Sequence, residues 1–178
     1  MLFTNLETKR LFLKIIDKDD ADFILTQFSN DDVNRYLFDA EPFSTMEEAE
    51  ELIDFYTEEE PRNQNRWIMI KKDSGEKIGT CGFHAWNREQ DTCEMGYDLY
   101  PSYRKNGYMQ ESLVEILRFA ESKMQIKYIE THIAEGNADS VRASEKQGFT
   151  DTKQVYTEVF RGKEYLHMIY ARSFGNDG

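Results

Sequence analysis

Arg104-Lys105-Asn106-Gly107-Tyr108-Met109 is the stretch that decides the fold, because it stands between a predicted strand and an amphipathic helix. The first N–H groups of a helix lack intrahelical acceptors, and with the helix dipole they favour an anion at the amino end. Gly107 has no Cβ, so the backbone can approach such an anion closely. Arg104 and Lys105 add positive charge beside it. The stretch therefore predicts a loop that binds a phosphate or pyrophosphate.

The Arg-x-x-Gly pattern carries little information without its context. Glycine is common enough for this pattern to arise about once by chance in such a chain, and Arg172-Ser173-Phe174-Gly175 matches it as well. No helix is predicted after that second copy, whereas Pro101 ends a strand before the first copy and an apolar helical stripe follows it. An ordinary helix start with a permissive glycine is the alternative interpretation of the first copy.

Hydrophobic periodicity predicts a mixed order of helices and strands around this loop. A strand is predicted over 10–16, a helix opens at 17–20, and a second helix begins after Ser44 or Thr45, with 30–43 as the loop between them. The later elements are strands over 67–71, 77–86 and 92–100, a helix over 107–123, a strand over 127–134, a helix over 138–146, and a hairpin of 149–160 with 163–171. The passage 92–134 is long enough for a crossover, which predicts one parallel strand pair. Since no linker or repeat interrupts the chain, we expect one domain over 1–178.

Charge and composition argue against several classes of protein. A net charge of -12 and a pI near 4.7 disfavour nucleic-acid binding, which depends on clustered basic residues. No apolar run reaches the roughly 20 residues that span a bilayer, and 1–5 lack the order of a secretion signal. We therefore expect no membrane contact and a cytoplasmic location. Cys81 and Cys93 are then reduced thiols, and the scattered histidines, His84, His132 and His167, predict no metal site.

Further motifs accompany the loop at consistent distances. Glu94-Met95-Gly96-Tyr97 precedes the loop, Asn137-x-x-Ser140 and Lys146-x-Gly148-Phe149 follow it, and Leu6-Glu7-Thr8-Lys9-Arg10-Leu11-Phe12-Leu13 stands near the start of the chain. Several weak motifs at the right separations are jointly specific. On these residues the sequence resembles the GCN5-related N-acetyltransferase (GNAT) family, and within it the RimJ/RimL-like branch, which acetylates the N-termini of ribosomal proteins and similar amines.

The resemblance implies a fold and a place for a co-substrate. The implied fold is α+β (mixed α/β), with a central twisted, mostly antiparallel sheet of about seven strands flanked by about four helices and splayed at an acetyl-CoA cleft. The positions that match the cofactor-binding residues of the family are Leu99, Tyr100, Arg104, Lys105, Asn106, Gly107, Tyr108, Met109 and Asn137. Met109 departs from the Gly or Ala that the family often has, and we expect its side chain to face the core.

The resemblance also suggests catalytic residues. An amine must lose a proton before it attacks a thioester, so a general base is required. Glu94 is the first candidate because it matches a position that is often acidic in the family, and His84 is the second because imidazole exchanges protons near neutral pH. The family often has a tyrosine seven residues after the asparagine, and here Ser144 stands there, with a hydroxyl that could hydrogen-bond the departing thiolate. Water remains an alternative base.

The expected activity is acetyl-CoA-dependent N-acetylation of a primary amine by direct transfer through a ternary complex. A noncatalytic acyl-CoA-binding or sensor protein on the same fold is the alternative. The expected acceptors are a ribosomal or other protein N-terminus, a polyamine or an aminoglycoside, with Tyr36, Phe38 and Phe43 lining the substrate pocket. We expect either a monomer or a homodimer.

Overall fold

The computed structural model describes residues 1–175, which form one eight-stranded sheet with helices on both faces. The strands are β1 (Leu6–Glu7), β2 (Leu11–Ile15), β3 (Asn65–Lys71), β4 (Lys77–Asn87), β5 (Thr92–Leu99), β6 (Tyr128–Ala134), β7 (Thr150–Phe160) and β8 (Lys163–Ser173). The α-helices are α1 (Ala21–Ser29), α2 (Asp31–Asn34), α3 (Met46–Tyr56), α4 (Tyr108–Ser122) and α5 (Ala138–Lys146). The sheet order is β1-β2-β3-β4-β5-β6-β8-β7.

The predicted mixed α+β fold is confirmed, with slightly more elements than the sequence predicted. The described residues contain eight strands and five α-helices, against about seven and about four. β1 has two residues, too few for an alternating pattern to show. α2 is a single turn inside the predicted loop 30–43, and its start is capped by the side chain of Asn30, which accepts from the amides of Asp32 and Val33.

The parallel pair predicted within 92–134 is β5 with β6. Only Thr92, Cys93 and Glu94 of β5 are paired with β6, opposite Tyr128, Ile129 and Glu130. Beyond Glu94 the two strands diverge, and all other neighbouring strands in the described sheet are antiparallel. The sheet is therefore splayed after its fourth main strand, as the resemblance implied.

Two apolar layers cover the faces of the sheet. On one face α4 packs against β2 and β4, and its residues Leu113 and Ile116 lie in the same core as Cys93, Met95 and Leu99 of β5. On the other face α1 and α3 contribute a second core that contains Ile24, Ile53 and Ile68. Alternation along β5 then turns Glu94, Gly96 and Asp98 toward the face of α1 and α3. The sequence left this choice of face open.

The closing hairpin turns at Arg161 and Gly162, as predicted. β8, the second strand of the hairpin, pairs with β6, and β7 therefore forms the outer edge of the sheet. Side chains of β7 and β8 thus lie next to those of β6. Within residues 1–175, no helix is long and apolar enough to cross a membrane.

We predict that Gly82→Ala destabilises the fold. A Cβ at Gly82 would lie 2.2 Å from the Asn65 carbonyl oxygen and 2.9 Å from the Arg66 Cα, both on the neighbouring backbone. Such overpacking costs about 2 kcal/mol. Gly96→Ala is the control, since the nearest atom there is the end of the Arg66 side chain at 3.4 Å. Chemical denaturation measures both variants, and equal stability of Gly82→Ala and the wild type would contradict this view of the β3–β4 contact.

Candidate functional site

The loop before α4 is built to present backbone N–H groups. Lys105 and Gly107 both have left-handed backbone conformations, with φ of 63° and 79°. Gly107 is the N-cap of α4 and contributes no side-chain cap, and the first backbone bond into the helix runs from Glu111 N to the Gly107 carbonyl oxygen, at 3.1 Å. Among the described residues, the N–H groups of 105–110 have no protein acceptor. These amides are available to an anion.

A cleft of about 460 Å³, which we call the loop cleft, opens beside these amides. It lies where β5 and β6 diverge, between α4 and α5. The charged side chains in its lining are Arg35, Arg104, Lys105, Arg142 and Lys146 on the basic side and Asp32, Asp98 and Asp139 on the acidic side. This excess of positive charge is local, since the whole chain carries -12.

Most of the residues predicted to bind the cofactor line this cleft. They are Leu99, Arg104, Lys105, Gly107, Tyr108, Met109 and Asn137. Met109 also packs against the core, as its place in the helical stripe predicted. The guanidinium of Arg104 donates to the carbonyl oxygens of Leu99, at 3.2 Å, and Asp32, at 3.3 Å, so it braces the cleft wall.

Two of the predicted cofactor residues, Tyr100 and Asn106, do not line the loop cleft. The Tyr100 amide donates to the Ile78 carbonyl oxygen at 2.8 Å, so its backbone is engaged with β4. By alternation, the backbone groups of Leu99 point the opposite way, toward the gap between β5 and β6. The Asn106 side chain turns back on the loop and donates to the carbonyl oxygens of Tyr103 and Arg104.

A second cleft of about 490 Å³, which we call the histidine cleft, lies on the face of β5 that carries Glu94. His84 Nε2 on β4 lies 3.1 Å from Glu94 Oε1, and His132 Nδ1 on β6 lies 3.4 Å from the same oxygen. His132 Nε2 is 3.1 Å from Glu130 Oε2. Among residues 1–175, no cluster of three or more His, Cys, Asp or Glu side chains is arranged to hold a metal ion.

The two histidines lower the pKa of Glu94. Burial alone would raise the pKa of this carboxyl, but the hydrogen bond with His84 and the charges of His84 and His132 outweigh that cost. The pKa of Glu94 therefore lies below its usual range, and the group is a carboxylate at neutral pH. Both glutamate and imidazole face the cleft, with side-chain exposures of 26% and 32% for Glu94 and His84.

The predicted substrate-pocket residues are brought together in the histidine cleft. Tyr36, Phe38 and Phe43 all line it. Phe38 stacks on Tyr165 of β8 with ring centroids 3.7 Å apart, and Phe43 packs on Phe28 of α1 at 5.5 Å. The loop between α2 and α3 thus forms an aromatic wall that contacts α1 through Phe43 and β8 through Phe38.

The sequence did not identify the contribution of β6, β7 and β8 to this cleft. His132, Tyr156 and His167 line it, and the ring of Tyr156 stacks on that of His167 at 4.9 Å. Burial raises the pKa of Tyr156 to about 12, with Glu94, Glu158 and Asp39 adding to the shift. The alternation of 128–134 could have placed His132 on the same face as Glu130, but nothing in the sequence fixed its register against Glu94.

Ser144 lines neither cleft, but its side chain lies beside that of Tyr97. Its side chain is fully buried, and its hydroxyl donates to the Val141 carbonyl oxygen at 2.9 Å. The Ser144 hydroxyl is thus engaged with the backbone of α5, and its role toward the thiolate stays a prediction. Tyr97 lines both clefts instead, and its hydroxyl donates to the Ser140 carbonyl oxygen at 3.0 Å. Burial raises the pKa of Tyr97 to about 12, so the phenol is a hydrogen-bond donor at neutral pH.

The two clefts meet where the sheet is splayed. The residues that line both of them are Tyr36, Leu37, Tyr97, Asp98, Asn137 and Ser140. A ligand held by the loop amides and a second ligand beside Glu94 would thus share one wall. This arrangement suits the transfer of a group from one bound molecule to another.

Comparison with known proteins places this arrangement in a family. Residues 10–150 match the family model described as an acetyltransferase (GNAT) domain. The chain is 33% identical over 149 residues to the uncharacterized N-acetyltransferase YoaA of Bacillus subtilis (strain 168), covering 83% of this chain and 84% of that protein. It is 22% identical over 156 residues to a spermidine N(1)-acetyltransferase of Vibrio cholerae, covering 88% of each.

A solved structure has the same fold. The crystal structure of spermidine N-acetyltransferase from Vibrio cholerae in complex with CoA and spermine superposes with a TM-score of 0.80 at 20% identity, covering 92% of this chain and 95% of that one. The fold, the loop and the paired clefts define an acyltransferase of the GNAT type. The chain belongs to the acetyltransferase (GNAT) family and is an N-acetyltransferase.

We predict that His84→Gln raises the pKa of Glu94. The substitution removes the hydrogen bond and the charge of His84 that lower this pKa, while the burial that raises it remains. Carboxyl chemical shifts in an NMR titration report this pKa directly. Glu89→Gln, an exposed change in the β4–β5 turn, should leave it unaltered. If Glu94 titrated at the same pH in the His84→Gln variant, His84 would not be the group that keeps Glu94 ionised.

Proposed function

We propose that this N-acetyltransferase uses acetyl-CoA and moves the acetyl group to a primary amine by direct transfer in a ternary complex. The observation that carries the proposal is the junction of the two clefts at the splay, beside a loop of unpaired amides. One cleft would hold the co-substrate and the other the amine. No covalent intermediate on the protein is then required.

The loop cleft fits acetyl-CoA by its chemistry. Unpaired N–H groups at the start of α4 suit a pyrophosphate, which accepts several hydrogen bonds and is stabilised by the helix dipole. Lys105 and Lys146 form no salt bridge within residues 1–175 and supply positive charge for phosphate groups, whereas Arg142 is paired with Asp139. The backbone of Leu99, which faces the gap, could pair with an extended amide-containing arm such as pantetheine, although Arg104 already occupies one lone pair of its carbonyl oxygen.

Glu94 and His84 would act together on the acceptor. Attack of the neutral amine nitrogen on the acetyl thioester forms the amide C–N bond and breaks the C–S bond. The nitrogen gives up one proton, and the departing thiolate takes up one proton to leave as coenzyme A thiol. A carboxylate with a lowered pKa is a weak base but a good partner for an imidazole. We propose that Glu94 orients His84 through its Nε2, which leaves Nδ1 to take the proton from the amine directly or through a water.

The acidic lining of the histidine cleft favours a cationic acceptor. Within the lining that the structure describes, Arg66 is the sole Lys or Arg. The acidic residues there are Asp39, Glu41, Glu94, Asp98 and Glu158. Arg66 pairs with Asp98, and Glu41 pairs with Arg161, whereas Asp39 and Glu158 form no salt bridge within residues 1–175. Two carboxylates are thus available for a second ammonium group, and a spermidine acetyltransferase is among the relatives. We propose a polyamine as the acceptor.

A protein N-terminus remains the second candidate acceptor. The RimJ/RimL-like motifs of the sequence favour it, and an extended peptide with a basic residue near its start would also place a second charge near Asp39 and Glu158. We further propose that 1–178 acts as one domain, as a monomer or homodimer in the cytoplasm.

We predict that Glu94→Gln and His84→Gln each lower turnover by about 100-fold while the affinity for acetyl-CoA stays unchanged, because general base catalysis typically contributes 10²–10⁴-fold. If the two residues act as one unit, the turnover of the double variant is no lower than that of the less active single variant. Release of coenzyme A thiol with a panel of polyamines, peptides and aminoglycosides measures turnover, and Glu89→Gln is the matched control. Multiplicative losses in the double variant would separate the two roles. Saturable acetyl-CoA binding without amine-dependent thiol release in the wild type would defeat the proposed activity.

We also predict that Asp39→Asn combined with Glu158→Gln raises the KM for spermidine by about fivefold, because a second ammonium loses its charged partners. The KM for a monoamine of similar length should change little, since its single amine lies at Glu94. The ratio of the two KM values is the measurement. Equal increases for both amines would show that Asp39 and Glu158 recognise no second charge.

A further inference from the structure

Arg10 belongs to the motif over 6–13 and lies against the loop before α4, but it lines neither cleft. Its guanidinium Nη1 donates to the Asn106 carbonyl oxygen at 2.9 Å. The guanidinium also covers the ring of Tyr108, 4.4 Å from its centroid. A Cβ built on Gly107 would lie 3.3 Å from Arg10 Nη2. Arg10 therefore contacts three consecutive residues of the loop.

Glu111, in the first turns of α4, fixes Arg10 in this position. Glu111 Oε2 accepts from Arg10 Nε at 2.7 Å, and Glu111 Oε1 accepts from the backbone amide of Arg10 at 2.7 Å and from the Thr8 hydroxyl at 2.5 Å. Burial would raise the pKa of Glu111, but these hydrogen bonds and the charge of Arg10 lower it below its usual range. One carboxylate thus ties the segment before β2 to the helix that follows the loop.

The planarity of the peptide unit makes these contacts consequential. In a trans peptide the carbonyl and the following N–H point in opposite directions. Arg10 holds the Asn106 carbonyl, so it directs the Gly107 N–H away from itself. The Arg104 carbonyl is held by the Asn106 side chain at 3.0 Å, and the Gly107 carbonyl by the Glu111 amide at 3.1 Å. The hydrogen bonds to these three carbonyl groups therefore fix the directions of the N–H groups that follow them, those of Lys105, Gly107 and Tyr108.

We propose that Thr8, Arg10 and Glu111 form a clamp that presets the loop amides for the pyrophosphate of acetyl-CoA. These three residues are positioning residues and touch no co-substrate. The inference rests on the proposed function, because it assumes that the loop binds acetyl-CoA. It assigns a role to the Thr8-Lys9-Arg10 part of the N-terminal motif, which the two clefts do not explain.

A substitution at Glu111 distinguishes a positioning role from an electrostatic one, because the two predict opposite changes in the affinity for acetyl-CoA. Glu111→Gln removes a negative charge close to the loop, so electrostatics alone would strengthen the binding of a polyanion. The clamp predicts the opposite result, because Gln cannot form the charge-assisted pair with Arg10 Nε. Arg10→Lys keeps the positive charge but loses the planar fork that contacts both Glu111 and Asn106, so it should also weaken binding.

The experiment compares two acyl donors on the full chain. S-acetylpantetheine has the thioester and the arm but no pyrophosphate, so its dissociation constant reports on the rest of the site. By calorimetry, Glu111→Gln and Arg10→Lys should bind acetyl-CoA about tenfold more weakly than the wild type, given the strength of hydrogen bonds to charged groups. Their affinity for S-acetylpantetheine should be unchanged. Glu115→Gln is the control, since it makes the same charge change on α4 in a pair with the exposed Arg118.

The outcomes are distinguishable. A wild type that does not bind acetyl-CoA would defeat the proposed function and the clamp together. If the wild type binds but Glu111→Gln binds equally or more tightly, only the clamp is overturned. Equal losses for acetyl-CoA and S-acetylpantetheine would also overturn it, because the damage would then extend beyond the loop.

Discussion

Three residue pairs join β5 to β6, and the site depends on where this pairing stops. Past Glu94 the edge of β5 faces a gap, which places unpaired backbone beside the loop cleft. Polar bonds hold α5 beside the gap: Tyr97 on β5 donates to the Ser140 carbonyl oxygen, and Gln110 on α4 donates to the Ala143 carbonyl oxygen at 3.1 Å. Gln147 donates in turn to Gln110 at 2.6 Å. The helices on either side of the gap are therefore fixed to each other and to β5 by side-chain hydrogen bonds.

The splay also divides the charge of the molecule. An acidic chain could not concentrate phosphates by its overall field, so the loop cleft relies on local cations and on amides whose dipoles are fixed by the backbone. The histidine cleft carries the opposite sign and shares a wall with the first. An anionic donor and a cationic acceptor would each be drawn to its own side, and the two would meet only at the residues lining both clefts.

The local sequence pattern predicted the helices and strands well. It could not predict the register between strands that are distant in the sequence. The bounds of α5 and the turn at Arg161 and Gly162 followed from periodicity and turn chemistry, and the parallel crossover followed from chain length. β1 was too short to show a period. The placement of His132 beside Glu94 depends on the register of β6, and the burial of Ser144 depends on how α5 packs on the sheet. Neither is encoded in neighbouring residues.

Two carboxylates on one face of β5 show how environment assigns different roles to similar groups. Asp98 accepts from Thr80, Gln27 and Arg66, yet burial still raises its pKa. Glu94 is less buried, and its two histidines lower its pKa. Both oxygens of Asp98 are bound by side chains of the protein, so Asp98 has a structural role in the wall that the two clefts share. Glu94 is in contact with an imidazole that faces the cleft, and a proton taken by that imidazole gains a stabilising negative neighbour. Under the proposed function we therefore expect proton exchange with the amine at the Glu94 end of the strand and not at Asp98.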